Sequence, residues 1–205
     1  MSHQKLTSKF PTAEGLSYIH AGVISGNRRR NSHIFARARN DLYVEPPWCS
    51  TRLFAVETFP EPVWDCCCGT ATIVKSACAA GLRYAASDIS TGRDFLIERA
   101  LIPPPFSVVT NPPYAIAREI VERALELGAV KVAFLFPVAR TNAAWRWLES
   151  LPLARLYLLT PRPSVPPITA KKVGGGRVDF CWLVLDRRHK GPPSWGWLHR
   201  DNSKR

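Results

Sequence analysis

Short apolar runs alternate with amphipathic stretches along most of this chain. Val63-Trp64-Asp65, Arg83–Ser87, Phe106–Thr110, Lys131–Phe136, Leu156–Thr160 and Phe180–Asp186 are runs of strand length, rich in β-branched, aromatic or leucine residues. Between them the apolar positions recur at helical spacing, in Trp48–Thr58, Thr72–Ala80, Ile116–Leu127 and Thr141–Glu149. Gly81 and Gly128 close two of these helices, and Thr141 or Asn142 caps the last. Strand–helix repetition followed by two late strands predicts an α/β domain: a largely parallel sheet, doubly wound, with helices on both faces.

The flanks break this pattern. Residues 1–40 are polar, without sustained periodicity, and read as a basic arm. Residues 162–178 form a basic loop rich in Pro and Gly. Residues 191–205 read as a C-terminal tail after a domain spanning 41–190. In that tail, Trp195-Gly196-Trp197 either contacts bases or packs on the sheet, and packing is favoured.

Charge follows the same division. The net charge is +12, yet residues 41–159 hold 11 basic and 12 acidic residues. The surplus sits at the ends: 7 basic against 1 acidic in 1–40, and 10 against 3 in 160–205. Cationic ends on a neutral centre suit a polyanion, and Arg28, Arg29, Arg30, Lys171, Lys172 and Arg177 are the expected nucleic-acid contacts. No apolar stretch reaches the length of a membrane span, and no secretory leader pattern is visible. The expectation is a cytoplasmic protein with reduced thiols. Its six cysteines (three of them Cys66, Cys67 and Cys68) have no paired metal-ligand spacing, so no metal is expected.

Asn111-Pro112-Pro113-Tyr114 carries the chemistry. It follows a buried strand and precedes a helix, at the carboxyl end where open α/β sheets place ligands. Neither proline can donate to a sheet, so the segment is a stiff turn presenting an amide, carbonyls and an aromatic ring. That set fits a planar amine or amide, whose N–H groups the carbonyls accept and whose face the ring covers. Upstream, Asp65 ends one strand before the small-residue turn Cys66–Thr70. Asp88 ends the next, where an acid can bind ribose hydroxyls or cap a turn. Asp94 and Phe95 can accept an amine and pack on a base.

In this order these residues resemble the class I S-adenosylmethionine-dependent amino-methyltransferases, especially the N6-adenine DNA methyltransferases. The arrangement over residues 41–186 is similar to the γ group and to compact phage-type enzymes, which implies a bacterial or phage-infected host cell. The resemblance implies a Rossmann-like seven-stranded sheet with one antiparallel C-terminal strand, Phe180–Asp186, and S-adenosylmethionine as cofactor. Asp65, Cys67 and Gly69 match the loop beside the methionine moiety, Asp88 the ribose ligand with Ile89 next to it, and Asp94 with Phe95 the adenine contacts. Tyr43-Val44-Glu45-Pro46 resembles the segment closing over the cofactor. Asn111, Pro112 and Tyr114 match the catalytic motif. Cys66 stands where Pro is frequent, Ala71 where a second Gly is usual, and Glu45 where Thr is common.

The implied activity is methyl transfer to the N6 amine of adenine in nucleic acid, DNA ahead of RNA. Transfer to a protein glutamine uses the same motif, N4-cytosine methylation is a further possibility, and a non-catalytic nucleic-acid-binding subunit with this fold is the other alternative. No insert resembles a target-recognition domain. The three consecutive cysteines read as small loop residues.

Overall fold

A computed structural model describes residues 43–167 and 176–200. Seven strands form one sheet: β1 (Val63–Asp65), β2 (Tyr84–Ala86), β3 (Phe106–Thr110), β4 (Ala129–Pro137), β5 (Leu153–Thr160), β6 (Phe180–Asp186) and β7 (Ser194–His199). Their spatial order is β2-β1-β3-β4-β6-β5-β7. Only β6 runs antiparallel, inserted between β4 and β5. Every residue of β3 and β6 is buried, as expected for central strands covered on both faces.

Strand alternation divides the core. Val109, Leu135 and Trp182 face α1 (Pro47–Val56) and α2 (Thr72–Ala79). Val108, Phe134 and Leu183 face α3 (Ala117–Glu126) and the short α5 (Trp145–Glu149). A two-residue period on strands meeting helices above and below produces these layers.

Two expectations are corrected. The single helix expected over Thr141–Glu149 is instead α4 (Val138–Thr141) and α5, separated by a turn at 142–144. Helix begins as soon as β4 ends at Pro137, and Thr141 is not a cap: its hydroxyl donates back to the Val138 carbonyl at 2.7 Å. The second correction concerns the tail. Ser194–His199 is β7, which pairs in parallel with β5 from Arg155 to Thr160. Its Gly196 lies over the Tyr157 ring, where an added Cβ would sit 3.6 Å from ring carbons, and Leu198 is buried. Exposed indoles on the other face hid the strand from a reading that sought apolar alternation. The antiparallel strand is thus not the last one in the chain.

The sheet order reverses beside β1, which has β2 on one side and β3 on the other. The carboxyl ends of these three strands surround a crevice at that reversal, the position that open α/β sheets offer to a ligand.

Candidate active site

A cleft of about 150 Å³ occupies the crevice. Tyr43, Asp65, Cys67, Gly69, Asp88, Ile89, Asp94, Phe95 and Asn111 all border it, so the structure brings nine of the expected site residues together.

The first wall is the β1–α2 turn. Asp65 is wholly buried, and its Oδ1 accepts from the Thr110 hydroxyl at 2.8 Å and the Cys67 N–H at 3.3 Å. Burial raises its pKa well above the usual carboxylate range, and the nearby Glu45 carboxylate adds to that, against the lowering by Thr110. The turn then passes through left-handed backbone at Gly69 (φ 44°) and Ala71 (φ 61°). Ala71 therefore stands where glycine would be less strained, at a cost of about 1–2 kcal/mol. Cys66 and Cys68 are buried, and burial pushes the Cys68 thiol up to about 12, so neither is a ready nucleophile.

Asp88 is a turn cap, one of the two readings given for it. One carboxylate oxygen caps the 3-10 turn Ile89–Thr91 by accepting from the Ser90 N–H at 2.9 Å, and the other accepts from the Gly69 N–H at 2.8 Å. It both fixes the turn and borders the cleft. Asp94 likewise accepts from the Leu96 N–H at 3.0 Å. Phe95 is mainly a core residue, its ring edge-on to Trp64 at 5.0 Å. Ile89 is the exposed apolar wall, at 72%.

Asn111 closes the opposite side. Its Nδ2 donates to the Tyr43 carbonyl at 3.0 Å and to Glu45 Oε2 at 2.8 Å, and its Oδ1 accepts from the Tyr114 hydroxyl at 3.0 Å. The Tyr43 carbonyl can only accept, so the amide orientation is fixed whatever the charge of Glu45. The strap Tyr43–Pro46 is held in turn by Val44 N–H donating to the Pro166 carbonyl at 3.0 Å. Tyr114 packs its ring along that of Tyr43, with centroids 6.2 Å apart, and the Arg140 guanidinium lies 5.7 Å from its centroid.

Pro46, Pro112 and Tyr114 do not border the cleft. Pro46 is the residue before α1, Pro112 is buried beneath the turn, and Tyr114 borders a second hollow behind Asn111. Arg177 is exposed at the approach to β6, while Arg28, Arg29, Arg30, Lys171 and Lys172 lie outside the described residues, as does the 1–40 arm.

Sequence reasoning left Glu45 unassigned. It is 5% exposed, and burial raises its carboxyl to about 7 against the hydrogen bonds from its own backbone and from Asn111. The available signal was an acid set among prolines and aromatics, where an unpaired carboxylate is out of place. Among the described residues, Glu45, Asp65 and Asp88 have no lysine or arginine partner, and the one arginine bordering the cleft, Arg93, pairs with Glu98 at 2.7 Å. With Asp94, four acids border the cleft, and none of them is ion-paired among the described residues.

No protein-family model matches this chain, and no curated protein matches it in sequence. Among solved structures, a Listeria monocytogenes protein provisionally described as a class I S-adenosylmethionine-dependent methyltransferase superposes with a TM-score of 0.48 at 10% identity. The match covers 81% of this chain and 68% of that one. An overlap this loose carries no functional weight. Among the described residues no cluster of three His, Cys, Asp or Glu side chains could hold a metal, and no helix is long and apolar enough to cross a membrane.

Proposed function

We propose that the chain is an S-adenosylmethionine-dependent methyltransferase acting on the N6 amine of adenine in nucleic acid, with DNA ahead of RNA. The observation that carries this reading is the fixed Asn111 amide facing a cleft of cation-free acids. Burying carboxylates without a counter-charge is costly unless they protonate or meet a cation. Burial raises the Glu45 and Asp65 carboxyls, which favours their protonated forms when no cation is bound. A ligand bearing sulfonium and ammonium charges fits that deficit, and its ribose fits Asp88.

When bound, this cofactor supplies an electrophilic methyl group on a cationic sulfur. The chain's own residues do the rest. Asp88 accepts from the Gly69 and Ser90 N–H groups and from the Ser90 hydroxyl at 2.6 Å, and retains acceptor capacity for a ribose hydroxyl because a carboxylate offers about four lone-pair sites. Ile89 and the edge of Phe95 give apolar contact to a purine. Asn111 Oδ1 has a second lone pair besides the one used by Tyr114, so it can accept from an exocyclic amine. With the Pro112 carbonyl as the second acceptor, the amine nitrogen is drawn toward the pyramidal geometry of attack. Tyr114 keeps Asn111 in place through its hydroxyl and sets the distance of the incoming ring, and positioning of this kind supplies a large share of catalysis. In a duplex the base must first leave the stack.

The deciding experiment offers labelled S-adenosylmethionine and the full chain to duplex DNA, single-stranded DNA, RNA and protein, followed by nucleoside analysis. N6-methylated adenine is expected. Label on glutamine alone would transfer the assignment to protein. Absence of cofactor binding at high micromolar concentration would remove the enzyme reading and leave a binding subunit.

A further inference from the structure

The second hollow, of about 530 Å³, begins at Tyr114 on the side of the sheet covered by α3 and α5. Arg118, Arg140 and Arg146 border it together with the rings of Tyr114, Phe136 and Trp147; the remaining walls are alanines, and no acid borders it. All three arginines are held, Arg118 by an ion pair with Glu122 at 2.8 Å. Arg140 donates to the Tyr114 carbonyl at 3.1 Å, and the Arg146 guanidinium lies 5.2 Å from the Trp145 ring centre. Arg140 and Arg146 have no carboxylate partner among the described residues, and with Arg118 beside them over aromatic and alanine walls they make a site for an anion attached to a flat ring.

On the other side of α5 a third hollow, of about 570 Å³, lies between Trp145 and the 189–193 turn that leads into β7, with Glu149 as its one acid. Beyond it stand Trp195 and Trp197. They sit beside Leu156 and Leu158 in the parallel register, and both leucines pack into the core on the α3–α5 side. Both indoles therefore project from that same side, with centroids 4.6 Å apart. Trp145, Trp195 and Trp197 are 52%, 63% and 53% exposed, which leaves large apolar faces in water. Arg188, Lys190 and Arg200 are exposed on the segments that flank β7.

Exposed indoles amid arginines match one polyanion better than another. A duplex hides its base faces, whereas a single strand presents both its bases and its phosphates. We propose that this side of the molecule is a track for single-stranded nucleic acid. Phosphates lie on Arg118, Arg140 and Arg146, bases stack on Trp145 and on the Trp195–Trp197 pair, and one base passes Tyr114 to reach Asn111. The proposal rests on the methyl-transfer reading only for that last step, and binding along the track is measurable without it.

The test is fluorescence anisotropy of a labelled oligonucleotide of about 16 nucleotides, single-stranded and as a duplex, with the full chain. The variants are Trp195→Ala/Trp197→Ala and Arg146→Ala, each first checked for native melting temperature and cofactor affinity. The double tryptophan variant should bind the single strand about tenfold more weakly or worse, with an unchanged salt slope, since indoles neutralise no phosphate. Arg146→Ala should reduce the slope by about one. Unchanged affinity of the tryptophan variant, or tighter binding of duplex than of single strand by the native chain, overturns the proposal. So does self-association that the tryptophan substitutions abolish while oligonucleotide affinity stays native; β7 would then be an interface between copies. Native single-strand binding that the substitutions weaken, without methyl transfer to any substrate, removes the enzyme reading and keeps the track. Transfer undiminished in the double variant does the reverse.

Discussion

Two clusters of buried acids lie at opposite ends of the sheet, and the molecule treats them in opposite ways. At the amino end of β4, Glu57 and Asp186 surround Lys131, with distances of 2.9 and 3.5 Å to its ammonium. Arg155 adds a second cation to Glu57 through paired hydrogen bonds, and the Tyr157 hydroxyl donates to the same carboxylate at 2.9 Å. Burial alone would raise the Glu57 carboxyl, but Arg155, Lys131 and Tyr157 together hold it below its ordinary value. Asp186 is held down as well: the Arg188 N–H and the Lys131 charge outweigh its burial. At the carboxyl end, Glu45 and Asp65 meet no cation and are pushed up. One cluster is complete in the free protein. The other has no ion pair among the described residues, and the proposed cationic ligand would answer that difference.

The largest effect should come from the carboxyl end. Asn111→Ala is expected to reduce methyl transfer by more than about 10²-fold while cofactor affinity stays within a few-fold. Single-turnover rates and calorimetric titration measure the two separately, and near-native turnover would remove Asn111 from the chemistry.

Next comes Lys131→Met, which leaves two buried carboxylates facing each other without their central cation. A loss of about 3–5 kcal/mol is expected in urea unfolding, with cofactor affinity retained wherever the variant is folded. A loss below about 1 kcal/mol would show that the network is not what separates the two ends.

Glu45→Gln should move stability the other way. A carboxyl protonated up to about pH 7 in the folded chain, against 4.5 as its ordinary value, holds a proton that the unfolded chain has released. The native protein without ligand therefore loses stability as pH rises across that window. The glutamine variant should melt several degrees higher than native at pH 8, and its stability should vary less between pH 5 and 8. Its transfer rate should fall. The acid limb below about pH 4.5 belongs to the lowered Glu57 and Asp186 carboxyls, whose contribution is lost as they protonate, and it should not change. Equal melting curves for variant and native at both pH values would contradict the burial cost assigned to Glu45.

Arg155→Ala is the smallest change. Its side chain is 24% exposed and Lys131 still pairs with Glu57, so a loss of about 1 kcal/mol is expected. Comparing it with Lys131→Met measures how much of the network resides in the buried cation.

Much of this was legible from local pattern. The runs Val63–Asp65, Phe106–Thr110 and Phe180–Asp186 form strands with the bounds their apolar residues suggest. Asp65, Asp88 and Asn111 were recognisable because each ends or closely follows an apolar run of strand length, and a strand end in a parallel sheet faces the crevice. β7 was not legible, because its identity depends on Gly196 accepting the Tyr157 ring from 39 positions earlier in the chain. The break between α4 and α5 was hidden for a related reason: it is set by where β4 stops and by the Asp179 carbonyl that holds the Val138 N–H at 2.8 Å.

The sequence alone therefore determined the layered α/β architecture and the order of its site residues, since periodicity and turn chemistry act over a few residues. Tertiary structure decided which charges are matched. Glu57 and Glu45 are both glutamates near the ends of α1, and their neighbours along the chain do not say which of them meets a cation. One folds against Lys131, 74 positions away, and the other against the amide of Asn111, 66 positions away. Counter-charge is a property of distance in space, so matched and unmatched acids can be told apart only once the sheet has formed.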